Sequence, residues 1–137
     1  MIMKKRGFTL NELLIAVVIV SITAGLAIPM YMRTVEKVKG DEARGTLRLL
    51  RAAEKVYYFD WQSQYENLAT LASGGYLQNP NANDQRAFDY VVAADNVASP
   101  RRFTATATRR NGCNSGETIT LDDSGTQGGT WTFRCGP

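Results

Sequence analysis

Two positions near the start of the chain have residue types and spacing that could do chemistry. Phe8 follows Gly7, which ends a short basic stretch, Lys4-Lys5-Arg6. Glu12 lies at the edge of an apolar run that continues without a charge from residue 13 to residue 32. A carboxylate facing hydrocarbon finds a counter-charge, protonates, or is strongly penalised. The rest of the chain offers little competing chemistry. It contains no histidine, so the commonest general base near neutral pH and the commonest metal ligand are missing. Its two cysteines, Cys113 and Cys135, are too far apart for a short chelating or redox motif. No nucleophile stands in pattern with a base. The sequence therefore reads as a non-enzyme, with no catalytic, cofactor-binding or metal set.

The elements that must position Phe8 and Glu12 follow from length and pattern. With 137 residues the chain is large enough for one small domain and one long segment. It carries 16 basic and 13 acidic residues, net +3, and Lys4, Lys5 and Arg6 supply that excess. The basic balance is thus no argument for a nucleic-acid partner. Without those three cations the chain is neutral and self-associates with little charge penalty.

Residues 1–7 have no apolar region of their own, unlike a conventional secretory signal. A cut at the glycine would leave the apolar run attached. As a helix, residues 13–32 span ~30 Å, the thickness of a bilayer core. The basic leader predicts a cytoplasmic N-terminus. The helical pattern continues beyond Arg33, with Val35, Val38, Ala43, Leu47, Leu50, Ala53, Tyr57 and Trp61 on one face. Charged residues, Glu36 and Glu54 among them, fill the other positions. The spacing predicts one helix over residues 9–60, ~75–80 Å long, apolar all round in its first half and amphipathic in its second. Pro29 removes an amide donor and clashes with the carbonyl of Gly25, where a glycine lowers the steric penalty of a kink. Residues 61–87 read as a connection. A short helix or turn near residues 65–71 is stopped there by Gly74-Gly75. Period-two segments follow at 88–93, 102–109, 117–122 and 130–135, with a turn at Asp122-Asp123-Ser124-Gly125. Four strands in series predict an antiparallel meander covered by the amphipathic half-helix, an α+β fold.

The stretch Lys4-Lys5-Arg6-Gly7-Phe8-Thr9-Leu10-Asn11-Glu12-Leu13-Leu14, with Pro29 downstream, resembles the prepilin signal of type IV pilins and their pseudopilin relatives. The resemblance implies the type IV pilin fold, one long N-terminal helix packed on a four-stranded antiparallel sheet. It divides the chain into a leader (1–7), a transmembrane and assembly half-helix (8–32) and a globular head (33–137). The head comprises the amphipathic half-helix (33–60), the connection (61–87) and the sheet with a disulfide-bonded C-terminal region (88–137).

The resemblance also implies cleavage by a prepilin peptidase between Gly7 and Phe8, followed by N-methylation of Phe8. It implies pairing of Glu12 with the N-terminal amine of a neighbouring subunit, where the bland alternative is a carboxylate that reaches interfacial water. A kink at Gly25 and Pro29 and a Cys113–Cys135 disulfide are implied as well. The implied function is that of a structural subunit, major or minor, of a type IV pilus used in adhesion, twitching motility or DNA uptake. Its partners would be copies of itself or other pilins, the peptidase and an inner-membrane assembly platform. The subunit would start as a single-pass inner-membrane protein and end in an extracellular filament. The alternatives are a pseudopilin of type II secretion and a DNA-binding minor pilin.

Three further signals have ordinary readings beside functional ones. Arg101, Arg102, Arg109 and Arg110 flank one strand and could form a phosphate-binding stripe, or simply solvated strand ends. The Asp122–Gly125 turn could hold calcium, as in major pseudopilins, or be only a turn. Tyr57, Tyr58, Phe59 and Trp61 read as core between helix and sheet.

Overall fold

A computed structural model describes residues 8–61, 63–112 and 114–132. Helix α1 (Leu10–Asp60) is followed by a short helix α2 (Leu68–Ser73) and by strands β1 (Phe88–Asp95), β2 (Arg102–Arg109), β3 (Thr118–Asp122) and β4 (Gln127–Gly129). The strands form one antiparallel sheet in the order β1-β2-β3-β4. This is the α+β pilin fold that the sequence predicts. The 51 residues of α1 make a rod of ~77 Å that runs unbroken through Pro29.

The sheet buries one face, and its alternation is the one legible in β2. Phe103, Ala105 and Ala107 point inward with Phe88, Tyr90 and Val92 of β1 and Ile119 and Leu121 of β3. Register places Ala105 beside Val92 and Leu121, and Ala107 beside Tyr90 and Ile119. The two alanines leave room for α1, which lies across β2 and β3. From α1 come Ala43, Leu47 and Leu50; Tyr65 and Leu68 close the end of this core. Full burial of Leu47, Leu50, Phe88 and Phe103 contributes about 1.5–3 kcal/mol each.

The buried stripe of α1 differs from the predicted one at both ends. It runs Glu36, Gly40, Ala43, Leu47, Leu50, Ala53, Glu54, whereas Val38 and Trp61 are exposed. Both glutamates, assigned to the solvent face by their charge, are in fact interior. Gly40 belongs to the stripe because Trp131 needs its space. A Cβ there would lie 2.6 Å from the Trp131 indole nitrogen. Trp131 also meets Phe88 edge-on, with ring centroids 5.3 Å apart.

The aromatic cluster is also redistributed. Tyr58 packs on the core, but Phe59 and Trp61 are exposed. Trp61 stacks on Tyr57 at 6.0 Å and donates its indole N–H to Tyr76 Oη at 2.8 Å.

The fourth strand is the largest correction. Among the described residues it is Gln127–Gly129, only three residues long; residues 130–132 are not in a strand, and residues 133–135 of the expected strand lie outside the described residues. The turn tightens the hairpin, because Asp122 Oδ1 accepts from Ser124 Oγ at 2.6 Å and from the amides of Gly125 and Thr126 at 2.9 and 2.8 Å. Pairing is therefore spent on Gln-Gly-Gly before the apolar alternation begins. Beyond it Thr130 and Trp131 both donate their amides to Thr118 O, at 2.9 and 3.0 Å.

Where α1 meets the sheet below the core, a buried ion pair fastens it. Arg109 Nη2 and Nε donate to Glu36 Oε1 and Oε2 at 2.9 and 3.1 Å, and Arg109 Nη1 donates to Ala87 O at 2.7 Å. Lys39 Nζ adds a third contact to Glu36 at 3.0 Å. The bonded Arg109 guanidinium, aided by Lys39, holds the Glu36 carboxyl below the usual carboxylate range despite its burial. A guanidinium and a carboxylate this deep require such two-pronged geometry, since either alone would be heavily penalised.

Candidate assembly site

The site is the first two-fifths of α1, and it begins with a cap. Thr9 is the N-cap; its Oγ1 accepts from the Glu12 amide at 3.3 Å. Glu12 Oε2 in turn accepts from the Thr9 amide at 3.3 Å, which closes a capping box. The helix start is thereby fixed at Leu10, two residues after Phe8. The Glu12 carboxylate is turned back toward the first residues of the chain, along the positive end of the helix dipole. Thr9-x-x-Glu12 carries this signal in the sequence, a third use of Glu12 beside the assembly and interfacial ones.

Downstream, the apolar half of α1 has no partner inside the molecule. Phe8, Leu10 and the large apolar side chains between Leu13 and Met32 are all exposed. This half of the helix is long and apolar enough to cross a membrane. Its serine and threonine hydroxyls are satisfied within the helix. Ser21 donates to Val17 O at 2.7 Å, Thr23 to Ile19 O at 3.0 Å, and Thr34 to Met30 O at 3.0 Å. None of these three hydroxyls needs water, a condition for immersion in hydrocarbon. The exception is the backbone at Pro29, which has no N–H for the carbonyl of Gly25. A Cβ at Gly25 would meet nothing within 4 Å, so that face is open.

Phe8, Glu12, Gly25 and Pro29 thus lie on one exposed helix and its cap. Gly7 lies outside the described residues, as do Cys113 and Cys135.

The arginine quartet does not form a stripe. Arg102 and Arg109 end the eight-residue β2, ~23 Å apart. Arg109 is interior and bound to Glu36, so it cannot reach a phosphate. Arg110 donates to Asp84 O at 2.8 Å and has Asp89 at 3.6 Å; Arg101 donates to the carbonyls of Asn96 and Ser63. Arg102 alone of the four is exposed. Asp122 is taken up by its own turn, whose Ser124 hydroxyl and two amides hold its carboxyl below the ordinary range. Among the described residues no group of three or more histidine, cysteine or carboxylate residues could hold a metal.

Besides Glu36, the charged groups Arg109 and Glu54 are interior against expectation. Arg109 shares its parity along β2 with Phe103, Ala105 and Ala107, which could have placed it inward. Glu54, one residue past Ala53, is fully buried at the end of the helical stripe.

Comparison with known proteins agrees with this arrangement. Residues 2–28 match the family described as the prokaryotic N-terminal methylation motif. The chain is 36% identical over 66 residues to the type IV major pilin protein PilA of Myxococcus xanthus, taking in 48% of this chain but only 30% of that one. It is 30% identical over 76 residues to competence protein ComGC of Bacillus subtilis, 56% of this chain and 78% of ComGC. Type II secretion system core protein G of Pseudomonas aeruginosa is 31% identical over 85 residues, covering 60% and 56% of the two chains. No solved structure matches the chain significantly.

Proposed function

The chain belongs to the type IV pilin and pseudopilin family, and from that premise we propose that it is a filament subunit assembled through its N-terminal helix. One observation carries the reading: residues 10–32 form an exposed apolar rod on a separately packed head. Such a rod is stable in a bilayer or against other rods, and in water it is not. In this reading Lys4 to Arg6 keep the leader in the cytoplasm, the peptidase cuts after Gly7, and Phe8 supplies a methylated amine. Glu12 exchanges its cap for the amine of a neighbouring copy, an attraction that a low dielectric strengthens. Gly25 and Pro29 provide the soft point at which the rod adjusts to its neighbours. The membrane, the peptidase and an assembly platform are its partners before assembly, and other pilins after it.

We include a Cys113–Cys135 disulfide in the proposal. It would close a loop of roughly 20 residues and stabilise the head by ~3 kcal/mol in the chain-entropy model. Alkylation mass spectrometry without reductant should find neither thiol free; two alkylated thiols would remove the disulfide from the proposal.

The likeness to protein G of type II secretion supports a second reading, a short periplasmic pseudopilus built by the same mechanism. Shearing the cell surface and probing the filament fraction for this chain separates the two. A pilin is abundant there, and a pseudopilin is not. Glu12→Ala should leave the precursor processed, with a normal gel shift, and reduce filaments at least tenfold. Normal filament yield from Glu12→Ala would overturn the role of Glu12 in either reading.

A further inference from the structure

We infer that Glu54 is a proton-controlled latch on the junction between α1 and α2. Its side chain is wholly shielded from solvent, within the last two turns of α1. Glu54 Oε2 accepts the amide of Glu66 at 3.2 Å, immediately before the α2 N-cap Asn67. Oε1 has no partner among the described residues, and no cation there forms an ion pair with either oxygen.

The charged and titratable groups around it sharpen the point. Across the junction stands Glu66, a like charge. On its own helix Tyr57 feels its charge, Lys55 Nζ is turned to Tyr65 Oη at 3.2 Å, and Arg51 is bound to the carbonyls of Asp123 and Ser124. Among the described residues no charged group on the sheet acts on it.

A neutral carboxyl suits this place, because its carbonyl oxygen accepts from Glu66 and no charge is buried. An ionised one does not, because a single amide faces a dry carboxylate with a second acid opposite. Burial, with the Glu66 charge as the lesser contribution, outweighs the Glu66 amide and pushes the carboxyl up from 4.5 to about 7. The closed form therefore holds its proton where the opened form would lose it.

Opening this junction also breaks other ties, since Tyr65, Leu68 and Leu71 are buried there and Lys55 and Arg101 bond to Tyr65 Oη and Ser63 O. Ser63 N donates to Tyr58 O at 2.9 Å, and the Asn96 side chain brackets Tyr65 through its amide and carbonyl at 2.9 and 2.8 Å. Ser63 sits at a φ of +66°, a conformation unfavourable for serine. The junction also carries the exposed Trp61, tied to Tyr76 beyond α2. Deprotonation of one buried group thus loosens the far end of the head and the aromatic surface displayed there. The inference concerns the head alone and is independent of how the chain assembles.

Hydrogen exchange of the full-length chain in detergent micelles, followed by mass spectrometry from pH 5 to 8.5, tests it. After correction for intrinsic rates, opening of residues 63–73 should rise about tenfold per pH unit up to near pH 7 and then level off. Peptides from β2 should not show this rise. Glu54→Gln, neutral at every pH, should remove the dependence. An identical slope in the variant, or a flat wild type, overturns the latch. Should Glu54→Gln fail to fold, titration of the wild-type Glu54 carboxyl by NMR decides. A midpoint near 7 supports the latch, and one near 4.5 overturns it.

Discussion

Glu36→Ala is expected to destabilise the folded chain by about 3–5 kcal/mol, as much as removal of a large core side chain. The reason is what the substitution leaves behind. Arg109 would remain interior with Ala87 O as its single partner of the present three bonds. A guanidinium cannot shed its charge to escape, whereas a carboxyl can. Arg109→Met should therefore be milder, because Glu36 keeps Lys39 at 3.0 Å and can take up a proton. Glu36→Leu combined with Arg109→Met removes both charges and should return to within about 1–2 kcal/mol of wild type. Urea denaturation of the full chain in micelles at pH 7 gives all three values. A loss below 1 kcal/mol for Glu36→Ala would mean that the pair behaves as a surface pair.

The pair also has a pH signature. The folded Glu36 carboxyl titrates below its unfolded value of 4.5. Its contribution is therefore present above about pH 4.5 and is lost as pH falls through the folded value. Glu54 has the opposite sign. Its folded value lies above the unfolded one, so its contribution is complete below 4.5 and is lost as pH rises toward 7. Two glutamates on one helix face thus set opposing limits, and their two contributions coincide only under mildly acidic conditions.

That contrast explains how much was legible in the sequence. Phe8, Glu12 and the exposed apolar run stand together in the sequence as they do on α1 and its cap, because they are contiguous and their pattern is local, while the leader and the glycine junction lie outside the described residues. The length of α1 and the faces of β2 were legible for the same reason, since periodicity is carried by neighbouring residues. Glu36 and Glu54 were not. A charged residue in a helical pattern is usually solvated, and what admits Glu36 to the interior is an arginine 73 residues away. Val38 was given to the core because it is apolar, yet the stripe passes it by and continues through Gly40. Strand β4 was hidden by its composition. Gln127, Gly128 and Gly129 have no alternation to read, and Thr130 and Trp131 after them bond to Thr118 and hold the Trp131 ring against Gly40 and Phe88.

Gly129→Ala should show how much of the head depends on that short strand. Gly129 has a φ of +110°, where an L-residue is strained by about 1–3 kcal/mol. Space is lacking as well. A Cβ at Gly129 would overlap the carbonyl oxygen of Thr118 and lie 2.8 Å from its carbon and 2.9 Å from Ile119 Cα, all backbone atoms that cannot rotate away. The same Thr118 carbonyl accepts the amides of Thr130 and Trp131, so any shift that relieves the overlap loosens both bonds. Trp131 then loses its seat, and Phe88 its ring partner. The expected loss is about 3–5 kcal/mol, with Trp131 fluorescence moving to the red before the global transition. Gly116→Ala is the control. Gly116 also has a positive φ, +86°, but nothing lies within 4 Å of its Cβ position, so that variant should lose about 1–2 kcal/mol from backbone strain alone. Equal losses at the two glycines would show that conformation alone matters. A clear excess at Gly129 assigns the difference to the passage of β4 over Thr118, the contact that joins the end of the sheet to α1 through Trp131.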